Sequence, residues 1–94
     1  MKLSLAAMNG RALVAWNLKK LRTERGVSQE RLAADAGIDR AYLSEIERQL
    51  GNASVDLLER IAGVLGVPIS AFFILPEKGE TAPKSLPSGR HSKA

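Results

Sequence analysis

The sequence has no cysteine, one histidine and only four aromatic residues (two Phe, one Trp, one Tyr) in 94. Without thiols, a disulfide scaffold, a thiolate zinc site and a cysteine nucleophile are excluded. The lone histidine, His91, stands in a polar stretch near the end, so neither a histidine metal cluster nor a histidine-based triad can be assembled. No uninterrupted apolar run approaches the ~20 residues that a membrane helix needs. The opening stretch has the outline of a signal peptide, but Asn9, Gly10 and Arg11 interrupt its apolar part. No period-two alternation marks a strand, and no motif for a metal or cofactor is present. These absences all but exclude an enzyme, and the chain reads as a soluble cytoplasmic protein with no membrane partner.

What is present is enough for one small domain. The apolar fraction of 45% is ordinary for a globular fold. The net charge of +4 favours an anionic partner such as nucleic acid, but the charge is uneven. Residues 11–75 carry nine Lys/Arg against eight Asp/Glu, whereas residues 76–94 carry four against two. A nucleic-acid argument must therefore rest on where the charges sit rather than on their sum.

The apolar periodicity predicts an all-α domain of five short helices over residues 11–75, with a short lead-in at 1–10 and a flexible basic tail at 76–94. Val14, Leu18 and Leu21 repeat at i, i+4, i+7 on a first helix that ends near Arg25–Gly26. Ser28 is a suitable N-cap for a second helix lined by Leu32, Ala33 and Ala36 and stopped at Gly37. Asp39 is read as the cap of a third helix with Leu43 and Ile46 facing inward. A polar turn, Gln49 to Ala53, leads to Ser54 and a fourth helix carrying Leu58, Ile61, Ala62 and Leu65. Ile69 to Leu75, between Pro68 and Pro76, is read as a fifth. The composition after Pro76 is too polar to order itself.

Two helices separated by two or three residues make a helix-turn-helix, and the spacing strengthens the signal. Counting from Gln29, alanine falls fifth (Ala33), glycine ninth (Gly37) and branched apolar residues fifteenth and eighteenth (Leu43, Ile46). Ala33 lets the helices cross closely, Gly37 can take a positive φ without a Cβ clash, and Leu43 and Ile46 fix which face of the third helix looks outward. On these residues, with LKKLRTERGVSQERLAADAGIDRAYLSEIER and NASVDLLERIAGVLGV around them, the chain resembles the Xre-type, phage-repressor-like helix-turn-helix proteins. Within that family it is most similar to the controller proteins of restriction-modification systems, whose recognition helix often begins as Asp39-Arg40-Ala41-Tyr42 does. One departure stands out. The family usually has Gly after the Glu-Arg pair, where this chain has Gln49, so the turn after the third helix is expected to differ.

The resemblance implies a transcriptional regulator with double-stranded DNA as partner and the third helix in the major groove. With Leu43 and Ile46 inward, Ala41, Ser44, Glu45 and Arg48 point outward, with Arg40 and Tyr42 on the flanks. Arg40 is the first candidate base reader, because its fork matches the two acceptors of guanine. Ala41, Ser44 and Glu45 complete the candidate base-reading set. By resemblance Tyr42 joins it, with ring packing against the second helix as the alternative; for Glu45 the alternative is a solvated charged face. Gln29 matches the family residue that contacts phosphate, and Arg48 and Asn52 are further phosphate candidates. By the same resemblance Glu47 pairs with Arg22 as a structural ion pair. Trp16 lies off the apolar stripe and is expected at the edge of the core. In the fifth helix Phe72 can face the core beside Leu65 of the fourth, which leaves Ile69, Phe73 and Ile74 for a homodimer interface and a pseudo-palindromic operator. A rival reading is a protein-interaction module such as an antitoxin, against which stands a tail without an amphipathic pattern. The sequence names no small-molecule effector.

Overall fold

Three well-capped helix starts organise the chain. In the computed structural model, which describes residues 8–86, Asn9 accepts a hydrogen bond from the Ala12 amide at 2.9 Å and starts α1, Gly10–Glu24. Ser28 accepts from Arg31 N at 3.0 Å and starts α2, Gln29–Ala36. Ser54 accepts from Leu57 N at 3.0 Å and starts α4, Val55–Leu65. Each oxygen satisfies an amide that the first helical turn leaves without a partner. Asp39 is the N-cap of α3, Arg40–Glu47, as read from the sequence, though its side chain makes no capping bond. No strand occurs among the described residues. Residues 1–7 and 87–94, His91 among them, lie outside the described residues, and with them most of the lead-in and the last eight residues of the tail.

The helices end alike. Gly26, Gly37 and Gly66 follow α1, α2 and α4 with φ between 67° and 74°, and Gln49 follows α3 with φ 65°. After α3 the Gln49 amide donates to Ile46 O at 3.1 Å and the Leu50 amide to Glu45 O at 2.8 Å, which closes the helix in a Schellman turn. The expected difference in this turn is therefore one of side chain rather than backbone course. Gln49 is the one non-glycine residue with positive φ among those described, a conformation that costs an L-residue roughly 1–2 kcal/mol. Two residues on, a Cβ at Gly51 would lie 3.0 Å from Ile46 Cγ1 and 3.2 Å from Ile46 N. Glycine there lets the α3–α4 loop pass close over the end of α3.

Each element contributes one fully buried large side chain to a single core: Leu18, Leu32, Leu43, Ile61 and Phe72. Phe72 comes from a segment expected to be an α-helix. It is instead a single 3-10 turn, Ile69–Phe73, so four α-helices are present rather than five. Pro68 and Pro76 leave no room for a longer helix. The buried Asn17 of α1 also donates its Nδ2 to the carbonyls of Phe72 (3.0 Å) and Ile74 (2.9 Å), holding that backbone in a non-α course. The change of helix type re-sorts the side chains. At three residues per turn Ile69 shares a face with Phe72 rather than with Phe73. Ile69 accordingly packs on the core and is half-buried, a correction to its placement on an outward face. Phe73, Ile74 and Leu75 stay exposed. Beyond them Pro76 is buried, and Lys20 of α1 pairs with Glu80 at 2.5 Å.

Candidate nucleic-acid interface

α3 is anchored by Leu43 and Ile46, both buried, and this fixes what it presents. Arg40, Ala41, Glu45 and Arg48 are exposed, while Ser44 and Tyr42 are half-buried. Ala41, Glu45 and Arg48 stand at i, i+4, i+7, on one ridge of the helix. No side-chain hydrogen bond or ion pair among the described residues involves Arg40 or Arg48, so both guanidinium groups keep all their donors free.

Tyr42 is not on that ridge. Its ring packs against the core and its hydroxyl donates to the Asn52 carbonyl at 2.9 Å. The Tyr42 side chain thereby ties α3 to the α3–α4 loop, in which Asn52 is exposed.

At the far end of α3, three elements meet on one carboxylate. Arg22 of α1 donates from Nε to Glu47 Oε2 at 2.6 Å and from Nη2 to Glu47 Oε1 at 2.9 Å, a two-bond fork. Arg22 Nη1 also donates to Val27 O at 2.8 Å. Gln29 Nε2, at the first residue of α2, donates to Glu47 Oε1 at 3.0 Å. The Arg22 and Glu47 side chains are 5% and 3% exposed. This knot sets the N-terminus of α2 beside the C-terminus of α3. It also places Gln29, a candidate phosphate contact, with one amide hydrogen already engaged and one free.

Two positioning residues escape a reading of the sequence as apolar stripes. Asn17 interrupts the inner face of α1, one residue before Leu18, and that polar intrusion is the signal that could have found it. Arg25 donates from Nε to Leu65 O at 3.0 Å and so closes the last turn of α4. Trp16 is half-buried and borders a cavity of about 240 Å³ that Lys20, Ile74 and Glu80 also line.

A recognition-type helix held by its apolar face, a preceding helix pinned to it and a glycine turn between them define a helix-turn-helix protein. The chain belongs to the Helix-turn-helix family of Xre type, whose model matches residues 18–72. A hypothetical transcription factor of Neisseria meningitidis is 37% identical over 68 residues, which are 72% of this chain and 64% of that protein. The crystal structure of that Neisseria factor superposes with a TM-score of 0.72 at 32% identity, covering 83% of this chain and 87% of the other. SinR of Bacillus subtilis, a transcriptional regulator, is 40% identical over 73% of this chain and 61% of its own length. A structure of SinR in complex with DNA matches at TM-score 0.60 and 38% identity, covering 63% of this chain and 95% of the other. The restriction-modification controller protein C.AhdI of Aeromonas hydrophila matches at TM-score 0.65 and 33% identity, over 67% and 96%. This chain therefore spans a little over three fifths of the lengths of the Neisseria factor and of SinR.

Proposed function

We propose that this protein is a sequence-specific, double-stranded-DNA-binding transcriptional regulator that acts as a homodimer on a pseudo-palindromic operator. One observation carries the reading. α3 is fixed by two buried residues and presents Arg40 and Arg48, both unpaired among the described residues, inside a fold shared with a regulator crystallised on DNA.

In this account residues 11–75 form the DNA-binding unit and the stretch from 76 a basic tail. The N-terminal half of α3 enters the major groove. Arg40 reads guanine through its two parallel donors, Ala41, Ser44 and Glu45 line the groove around it, and Tyr42 sits at its edge. Gln29, Arg48 and Asn52 hold phosphates on either side of the groove, fixing register without reading sequence. The Arg22–Glu47 pair serves the scaffold.

Phe73 and Ile74, 45% and 61% exposed, are the core of the dimer interface. Phe73 borders an apolar cleft of about 510 Å³ with Val14, Ile46, Val55 and Leu58, and an exposed apolar patch of this kind is usually covered by a partner. Two recognition helices about 34 Å apart then address successive major grooves.

Selection of sites from a random duplex pool tests the reading. The expected product is a pseudo-palindrome with half-sites about one helical turn apart, bound with an affinity that falls steeply with salt as counterions are released. A pool that yields no enriched sequence, or an affinity indifferent to salt, refutes it.

A further inference from the structure

The end of α3 carries a contradiction that the scaffold alone does not resolve. Four helices close with a residue of positive φ; three use glycine, and the recognition helix uses Gln49. Gln49 is exposed, and its carboxamide makes no hydrogen bond to any described residue. The side chain therefore returns nothing to the fold for the strain that its backbone carries. Space does not explain it, because glycine serves the same closure at Gly26, Gly37 and Gly66. A strained residue with no structural return points to a use outside the fold.

Its surroundings indicate which use. Gln49 follows directly on Arg48, whose exposed guanidinium has no partner among the described residues, and it opens the loop that carries Asn52, itself exposed. The Gln49 amide and those of Leu50 and Gly51 are consumed in closing the helix. The backbone at 49–51 thus has no donor left for an anion, and the Gln49 side chain restores two.

We propose that Gln49 is a DNA-contact residue whose carboxamide donates to a backbone phosphate at the C-terminal end of the recognition helix, and that it holds its strained conformation for that contact. This rests on the DNA-binding reading above.

The assignment separates stability from binding, which a structural role would move together. Gln49→Gly should raise the melting temperature by about 2–6 °C, through release of left-handed strain less the added freedom of glycine in the unfolded chain. The same variant should bind the selected duplex more weakly by about 10-fold or more per half-site, the loss of one hydrogen bond to a charged acceptor. Gln49→Glu keeps the shape and the backbone strain but puts a like charge against the phosphate. It should melt within about 2 °C of wild type and bind at least 10-fold more weakly, the deficit shrinking as salt is raised. Thermal melts and fluorescence anisotropy on the full chain read both quantities. A Gln49→Gly protein that binds as tightly as wild type, or a Gln49→Glu protein with undiminished affinity, overturns the assignment while leaving the DNA-binding reading intact. A wild-type chain that enriches no duplex removes both.

Discussion

Replacing Glu47 by alanine tests how the fold holds its recognition helix. The substitution leaves the Arg22 guanidinium, 5% exposed, with the Val27 carbonyl as its remaining acceptor, and it strips the Gln29 amide of its partner. An unpaired charge left at such burial costs about 3–5 kcal/mol. At roughly 0.05–0.15 kcal/mol per residue, a folded unit of this size holds about 4–12 kcal/mol in all. The variant should therefore lose at least a quarter of its stability and, at the low end of that range, all of it. Urea unfolding followed by circular dichroism is the assay. With a slope of about 1 kcal/mol per molar urea, the midpoint should move down by about 3 M or more, or no folded baseline should remain. Glu59→Ala, on the exposed face of α4, is the control and should stay within about 0.5 kcal/mol of wild type. Arg22→Met combined with Glu47→Leu should recover much of the loss, because it removes both charges and refills the volume. A Glu47→Ala midpoint equal to that of the control would refute the argument, since the pair would then be solvated and dispensable.

Three further outcomes follow from the same geometry. Arg48→Ala should weaken binding to all duplexes about equally and lower the slope of log affinity against log salt by about one, as expected of a phosphate contact; a changed sequence preference would reassign it to base reading. Phe73→Asp should turn a dimer into a monomer by light scattering at micromolar concentration while keeping the helical dichroism; a folded Phe73→Asp dimer would displace the interface from Phe73 and Ile74. The hydrogen bond from Lys20 lowers the pKa of Glu80, and the same bond raises that of Lys20. The contribution of Glu80 is thus present above its ordinary value of 4.5 and lost as pH falls through its lower folded value, while that of Lys20 is present below 10.5 and lost as pH rises through its raised one. Glu80→Gln should accordingly melt below wild type at neutral pH and converge with it in acid, and a difference that persists at pH 2 would contradict the pairing.

The sequence exposed those parts of the fold whose determinants are local. Ser28, Ser54, Gly26, Gly37 and Gly66 mark helix ends because each acts on backbone groups within a few residues, and the buried set of α3 follows from a 3.6-residue period. What stayed hidden depends on distant partners. The 3-10 course of Ile69–Phe73 is held in part by Asn17, 55 positions from Phe72, and composition alone hides that reach. The same holds for Glu80, which a polar, proline-rich stretch marks as tail and which Lys20 nonetheless engages. The turn at Gln49 shows the reverse. The residue departs from the family pattern, yet the hydrogen bonds that close α3 carry the backbone through the same course as at the glycine ends. In the candidate interface, the exposure of Arg40, Ala41, Glu45 and Arg48 follows from the helical wheel. The engagement of Tyr42 with Asn52 and of Gln29 with Glu47 needed the third dimension.

Guanine N7 lies in the major groove, where dimethyl sulfate methylates it and where the proposed function puts the Arg40 guanidinium. Methylation of the selected duplex, free and bound, therefore measures the central claim directly. The account predicts protection of one guanine N7 in each half-site, the two positions about one helical turn apart, and loss of that protection in Arg40→Ala at protein concentrations that still saturate the site. Guanines that react equally in free and bound DNA, or protection that survives Arg40→Ala unchanged, would contradict it.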